Sequence, residues 1–312
     1  MMSPAQKPSY LRLLRMGELA RRVDTARALL SPCRICPREC GIDRLHGEVG
    51  YCRSGHLPRV SSFGPHFGEE PPLVGTRGSG TIFFSGCNMR CVFCQNYAIS
   101  QEREGAEVSC DDLAKIMIRL WDMGCHNINF VSPTHFVPQI IDAVHIAAGM
   151  GLDIPLVYNT GTYDSVETLK LLDGVFDIYM PDAKYGSDDV ALSLSDAPGY
   201  VTVMKEAIRE MQRQVGDLQV EDGIAVKGLL VRHLVLPENL AGSGEVFRFI
   251  AEEVSRDAYV NVMDQYRPCG RIVGDSRHPH HRSLMRGITR SEYREAISAA
   301  GSYGLHRGFP LS

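Results

Sequence analysis

Apolar residues recur along this chain in two rhythms, one helical and one of short continuous runs, and their alternation predicts the fold class before any chemistry is considered. Leu11, Leu14, Leu19, Val23, Ala26 and Leu30 recur at helical spacing with arginines between them. This predicts one amphipathic helix from Tyr10 to Leu30, ended by Ser31 and Pro32. Arg59 to Gly80 is a Gly- and Pro-rich connector and reads as a surface loop. Beyond it, strands are predicted at 81–85, 127–131, 155–158, 175–180, 229–236 and 259–263. Helices are predicted between and after them, at 109–122, 136–148, 164–172, 188–215 with an interruption at Pro198 and Gly199, 244–255 and 290–300. Ser109 with Asp112, and Asp164 with Glu167, form the capping pairs that open two of these helices. Six strand and helix repeats imply an α/β fold with a parallel sheet and right-handed crossovers. They are too few for a closed eight-stranded barrel.

Composition narrows the class further. With 312 residues, 44% of them hydrophobic, the chain can bury a sizeable core. A formal net charge of -4 supplies no general attraction for nucleic acid or an anionic membrane, and no apolar run approaches the length of a membrane span. Neither partner is expected. Seven of the ten cysteines lie in two short clusters, which points to metal binding in a reducing compartment, the cytoplasm, rather than to a disulfide framework. Lys7, Arg12 and Arg15 precede the first acid, Glu18, which leaves room for a transit peptide, although Glu18 and Asp24 soon dilute the basic character.

The first cluster is Cys33, Cys36, Cys40 and Cys52, interleaved with Pro37, Gly41, Gly47 and Gly50, which permit the tight turns of a metal knuckle. Four thiols close a coordination shell, which suits structural zinc or a four-iron cluster that does not bind substrate. The spacing leaves both open, and His46 or His56 could stand in for one cysteine. The second cluster, Cys87, Cys91 and Cys94, follows the first predicted strand of the repeats. Three close thiolates can grip a four-iron cluster and leave one iron without a protein ligand. Chance placement of ten cysteines would give such a pattern about 0.01 times in a chain of this length, and a zinc site would need a fourth ligand. Cys110, Cys125 and Cys269 read as ordinary buried thiols, and His278, His280 and His281 as a surface loop rather than a metal site.

In parallel β/α folds, chemistry collects where the strands end. Here those positions are polar: Ser132, Thr134 and His135; Asn159 and Thr160; Asp182 and Lys184; Asp264, Gln265 and Tyr266. Arg232 and His233 interrupt the apolar run of the fifth predicted strand. A buried arginine needs an anionic partner, either a bound carboxylate or a protein one such as Asp182 or Asp264. His66, Glu69 and Glu70 lead into the cysteine strand and are candidates for lining a pocket.

Most of the chain, from about residue 10 to 270, resembles the branch of the radical S-adenosylmethionine (SAM) superfamily that is similar to pyruvate formate-lyase activating enzymes. The resemblance rests on CRICPREC with Cys52, HFGEEPP, GTIFFSGCNMRCVFCQNYAIS, YNTGTY, DIYMPDAKY and VRHLVLPEN. It implies a partial (β/α)6 barrel at 59–270, preceded by an N-terminal helix and four-cysteine metal-binding extension at 1–58 and followed by a tail with a helix at 271–312. It further implies a [4Fe-4S] cluster on Cys87, Cys91 and Cys94, and SAM held by Asn159, Asp182, Lys184 and Arg232. Activating enzymes carry Gly-Gly-Glu where this chain has Val131-Ser132-Pro133-Thr134-His135, so Ser132 is expected to assist there without an acidic partner. The implied activity is reductive cleavage of SAM to a 5'-deoxyadenosyl radical that removes a hydrogen atom from a substrate, a partner polypeptide among the candidates. Flavodoxin or ferredoxin is the implied electron donor. The competing expectation is an iron-sulfur electron-transfer or scaffold protein, for which Cys269 would supply a fourth ligand to the second cluster.

Overall fold

A computed structural model describes residues 7–310. The transit-peptide reading and the two outermost domain limits fall partly outside this span. Nine strands are present among the described residues: β1 (Arg59–His66), β2 (Ser79–Phe84), β3 (Ala106–Glu107), β4 (Ile128–Val131), β5 (Leu156–Thr160), β6 (Ile178–Pro181), β7 (Gln219–Glu221), β8 (Ile224–Leu234) and β9 (Tyr259–Met263). The helices are α1 (Tyr10–Arg15), α2 (Glu18–Arg27), α3 (Pro71–Val74), α4 (Tyr97–Ser100), α5 (Cys110–Asp122), α6 (Val137–Gly149), α7 (Val166–Lys170), α8 (Asp188–Ser195), α9 (Tyr200–Val215), α10 (Ser243–Phe249), α11 (His281–Leu284) and α12 (Arg290–Ser302).

Strands β2, β4, β5, β6, β8 and β9 pair in parallel in that spatial order, which makes an open six-stranded sheet of the partial-barrel type. The short apolar runs form this sheet because both of its faces are covered. Outward, Phe84, Phe130, Phe176 and Tyr158 pack ring against ring beneath the helices. Inward, Val157, Ile178, Met180 and Leu230 form a second apolar layer with Leu73 of α3. Leu73 is thus a plug in the interior, held by an Asn127 Nδ2 bond to its carbonyl at 2.8 Å.

Several expectations are corrected. The connector at 59–80 is not a loop throughout: β1 runs antiparallel to β2, with His66 opposite Ser79, and β3 pairs antiparallel with β1. The helix expected at 10–30 is two helices, because Gly17 turns the chain at φ +67. Helix 244–255 ends as α10 at Phe249 and continues as a π turn over Ile250–Val254. Asp164 does not cap the helix that follows: α7 begins at Val166, and Ser165, at the N-cap position, makes no side-chain capping bond. By contrast, the sixth predicted strand coincides with β9. No helix among the described residues is long and apolar enough to cross a membrane.

The N-terminal segment is stapled to the sheet by a buried carboxylate. Asp177 accepts from the Ser9 N–H at 2.9 Å, and Tyr10 donates to the Ile154 carbonyl at 3.0 Å. Burial pushes the Asp177 carboxyl up to about 6, against the opposing pull of the Ser9 and Leu156 N–H groups and Lys227. Because the folded value lies above the unfolded one of about 3.9, the associated stability is fully present below about pH 4 and is lost as pH rises through about 6. The stability advantage of wild type over Asp177→Asn should therefore fall by about 2–3 kcal/mol between about pH 4 and pH 7. Urea unfolding at the two pH values reads this, and an unchanged difference contradicts the assignment.

Candidate functional site

Directly after β2, Gly86 adopts φ +83 and lies so close to its neighbours that an added Cβ would sit 2.8 Å from the Cys52 carbonyl. Only glycine fits this corner, and it turns the next eight residues across the C-terminal rim of the sheet. Their backbone is fixed by distant segments. The Arg90 and Val92 N–H groups each donate at 2.8 Å, to the Ser195 and Leu194 carbonyls, and Ile272 N–H donates to the Val92 carbonyl at 2.8 Å. Side chains orient the sulfurs as well: the Ser195 hydroxyl donates to Cys91 Sγ at 3.0 Å, and Ser100 Oγ lies 3.2 Å from Cys94 Sγ.

Cys87, Cys91 and Cys94 line one cavity of ≈ 250 Å³. Burial pushes the free thiols up, Cys87 to about 12 and Cys94 to about 11, so a positive centre is needed to hold them as thiolates. The donor set is three soft sulfurs facing a polar space, and this fits a four-iron cluster with one open iron. Cys269 is not among the lining residues; its thiol donates to the Phe93 carbonyl at 3.1 Å, so it supplies no fourth ligand.

The other wall of the cavity holds all five expected cofactor residues, Ser132, Asn159, Asp182, Lys184 and Arg232, joined by Met263 and Gln265. Arg232 has its anionic partner within the protein. Its Nε donates to Asp182 Oδ1 at 2.7 Å and its Nη2 to Asn159 Oδ1 at 2.7 Å, while Lys184 Nζ donates to Asp182 Oδ2 at 2.5 Å. Burial alone would raise the Asp182 carboxyl, yet Arg232 and Lys184 hold it below the usual carboxylate range. The same pairing raises Lys184 and Arg232 despite their burial. Lys184 and Arg232 retain N–H donors beyond these bonds, a disposition suited to an acceptor in the cavity.

His66, Glu69 and Glu70 do not line the cavity as expected. They lie behind Arg232, with Glu69 Oε2 at 3.8 Å from Arg232 Nη1 and Oε1 at 3.0 Å from His66 Nδ1. Burial raises the Glu69 carboxyl, against Arg232. Tyr266 turns away to donate to the Leu284 carbonyl at 2.7 Å.

Asp164 is the residue whose role pattern reading missed. It is buried and accepts from Thr134 Oγ1 and the Tyr158 hydroxyl at 2.8 Å each and from Thr160 Oγ1 at 2.7 Å, tying the loop after β4 to the end of β5. Ser132 in that loop has φ +56, a left-handed conformation that costs a non-glycine residue and needs such support. Asp164→Ala leaves three hydroxyls without this acceptor. Thr134 and Thr160 lie 3.1 Å apart and can pair with each other, so the expected cost is about 2 kcal/mol rather than about 3. A loss below about 0.5 kcal/mol in urea unfolding would contradict the knot.

Cys33, Cys36, Cys40 and Cys52 line a second cavity with Arg38, Arg44, Asn88 and His135. Burial pushes the Cys36 thiol up to about 12, eased in part by a bond from the Asn88 side chain. Asn88 also stands beside the first cavity, its Oδ1 4.0 Å from Cys87 Sγ, so one residue separates the two cysteine sets. His46 pairs with Asp43 at 2.6 Å, and neither it nor His56 reaches this cavity. His278 and His281 bind the Ser193 and Ile272 carbonyls at 3.1 and 2.9 Å. Among the described residues no group of three or more Cys, His, Asp or Glu side chains is gathered as one metal ion would require.

Comparison with known proteins bears on this arrangement. Residues 81–226 match the family described as the Radical SAM superfamily. The Uncharacterized protein MJ0674 of Methanocaldococcus jannaschii is 32% identical over 294 residues, covering 91% of this chain and 78% of that protein. A second protein of the same organism, Uncharacterized protein MJ0808, is 28% identical over 159 residues, 45% of this chain and 46% of its own. Among solved structures, anSMEcpe with bound AdoMet aligns at TM-score 0.45 and 12% identity over 75% of this chain and 56% of its own. HydG, a maturase of the [FeFe]-hydrogenase, aligns at TM-score 0.48 and 12% identity over 94% of this chain and 63% of its own. The chain thus spans less than two thirds of either solved protein.

Proposed function

The chain belongs to the radical SAM superfamily, and from that premise we propose that Cys87, Cys91 and Cys94 hold a [4Fe-4S] cluster with one open iron, that SAM is cleaved reductively in the rim cavity, and that a hydrogen atom is taken from a substrate entering the same cavity. The observation that carries this reading is convergence: three thiols and the group Asn159, Asp182, Lys184 and Arg232, drawn from four strand ends, line a single space. When bound, the cluster supplies the electron that cleaves SAM to methionine and a 5'-deoxyadenosyl radical.

The chain's own residues bind and orient. Asp182 fixes Lys184 and Arg232 against the wall, so their remaining donors suit the methionyl carboxylate of SAM. Ser132 and Asn159 offer neutral acceptors for its amine in place of the missing acid. Ser195 and Ser100 donate to or face the thiol sulfurs and hold their direction, as outer partners of metal ligands do. A low-potential flavodoxin or ferredoxin is the electron donor in this reading. The substrate is a partner polypeptide, by the resemblance to activating enzymes, and the N-terminal four-cysteine set holds a second metal centre, zinc or iron-sulfur.

The test is anaerobic reconstitution with iron and sulfide, followed by dithionite, SAM and an extract of cells grown in heavy water. Formation of 5'-deoxyadenosine carrying deuterium is expected, with the deuterium lost from a protein fraction. No 5'-deoxyadenosine at all overturns the SAM-cleaving reading; deuterium originating in small molecules overturns the polypeptide substrate alone.

A further inference from the structure

A concentration of positive charge lies away from both cysteine sets. A cavity of ≈ 660 Å³ is bordered by Lys7, Arg12, Arg15, Arg22 and Lys227, with Asp173 as its one acid. Asp173 precedes β6 and Lys227 lies near the start of β8, so the cavity opens at the N-terminal ends of the strands. The cysteine loop follows the C-terminal end of β2, at the opposite pole.

The five cations differ in what holds them. Asp173 is taken by Arg213 at 2.8 Å, and Arg22 by Glu18 at 3.3 Å and the Leu171 carbonyl at 2.9 Å. Lys7, Arg12, Arg15 and Lys227 have no carboxylate within 4.0 Å among the described residues. Three of these cations come from residues 7–15 and one from β8, and together they border one concavity in a chain whose formal net charge is -4. They make a local positive potential, and a concave wall focuses it. Lys227 lies near the buried Asp177 and lowers its carboxyl, whereas the proposed chemistry uses none of these groups. The other described cavities differ: the one bordered by Glu206, Arg209, Glu210 and Arg213 is balanced, and the one bordered by Glu238, Glu292 and Glu295 is acidic.

We propose that this cavity binds a phosphate-bearing small anion of diphosphate size. Its volume lies in the usual range for small-molecule pockets of about 300–1,000 Å³. Two phosphoryl groups carry about three negative charges near neutral pH, which Lys7, Arg12 and Arg15 match, whereas a single carboxylate would leave most of them uncompensated. Arginine forks and lysine point charges are the side chains that take phosphate. Leu13 and Phe176 close the floor, so a bound anion is partly shielded from bulk water.

Titration of inorganic pyrophosphate into the full-length chain at low salt, followed by calorimetry, tests this. One saturable site per chain is expected, at least about tenfold weaker in Arg12→Glu/Arg15→Glu and weakened by added salt, as exposed charge pairs are. Arg12 and Arg15 are both exposed, so both substitutions are compatible with folding; Lys7→Glu, also exposed, is the second variant. Succinate is expected to bind at least about tenfold more weakly than pyrophosphate. Equal affinity in wild type and variants, equal affinity for succinate, or no saturable binding overturns the proposal.

Discussion

Cys87→Ala should, on the proposed reading, reduce 5'-deoxyadenosine formation by more than about 100-fold and leave any metal at the N-terminal cysteines in place. The magnitude follows from comparison with weaker perturbations: removing only a partner that orients a metal ligand costs about 10–100-fold, so removing a ligand must exceed that. Two remaining thiols, Cys91 and Cys94, cannot compensate, since Cys269 is turned to the Phe93 carbonyl and is no substitute. Ser195→Ala is the graded counterpart. It deletes the hydroxyl donated to Cys91 Sγ at 3.0 Å and should cost about tenfold. Product yield per bound iron separates the two effects, because Cys87→Ala should lose the metal whereas Ser195→Ala should keep it. A Cys87→Ala protein that retains full iron and forms product within tenfold of wild type would remove the foundation of the proposed chemistry.

Arg232→Met should destabilise the metal-free protein by about 3 kcal/mol, at the lower end of the 3–5 kcal/mol expected when a buried ion pair is broken on one side. The charge count sets the sign. Asp182, Glu69 and Glu70 act on Lys184 and Arg232, three against two, and the substitution leaves three carboxylates to one ammonium. Lys184 still serves Asp182 at 2.5 Å, which is why the lower end applies. Asp182 is held below its unfolded value by the two cations, so its contribution is present above about pH 4 and is lost as pH falls through the lower folded value. The advantage of wild type over Arg232→Met should shrink correspondingly in acid. A double-mutant cycle with Asp182→Asn should give a coupling above about 1 kcal/mol. A single-variant loss below about 1 kcal/mol would mean that Arg232 is not structurally committed to Asp182.

These two predictions rest on features that differ in how openly the sequence displays them. The parallel strands were legible because strands covered on both faces must be short apolar runs, and 259–263 coincides with β9 for that reason. β1 was not, because it lies antiparallel at the edge and carries Gly64, Pro65 and His66, residues that punctuate loops as often as edge strands. Gly17 breaks the N-terminal helix although the apolar spacing runs straight through it; spacing reports a face, whereas the break is a backbone choice. At the rim, the resemblance named residues that line one cavity, but partners at long range could not be read. The Asp164 and Glu167 pair looks like a local cap, whereas the three hydroxyls that claim Asp164 arrive from Thr134, Tyr158 and Thr160 through tertiary contact. Arg232 was left with Asp182, Asp264 or a bound carboxylate as alternatives, and only the β6 and β8 neighbourhood selects Asp182. Glu69 had no signal tying it to Arg232.

The anchoring of the cysteine loop also governs when the protein can acquire its metal. Ser195 lies 104 residues beyond Cys91, and Cys269 lies 176 beyond Phe93. A nascent chain that has just exposed the three thiols outside the ribosome lacks the Leu194 and Ser195 carbonyls and the Ser195 hydroxyl that fix the loop. On the proposed reading the ligands are therefore synthesised early and organised late, and cluster insertion is expected after the last parallel strand has docked. During that interval the thiols depend on the reducing power of their surroundings, and a delay in synthesis or docking downstream of β6 would lengthen their exposure without touching any metal-binding residue.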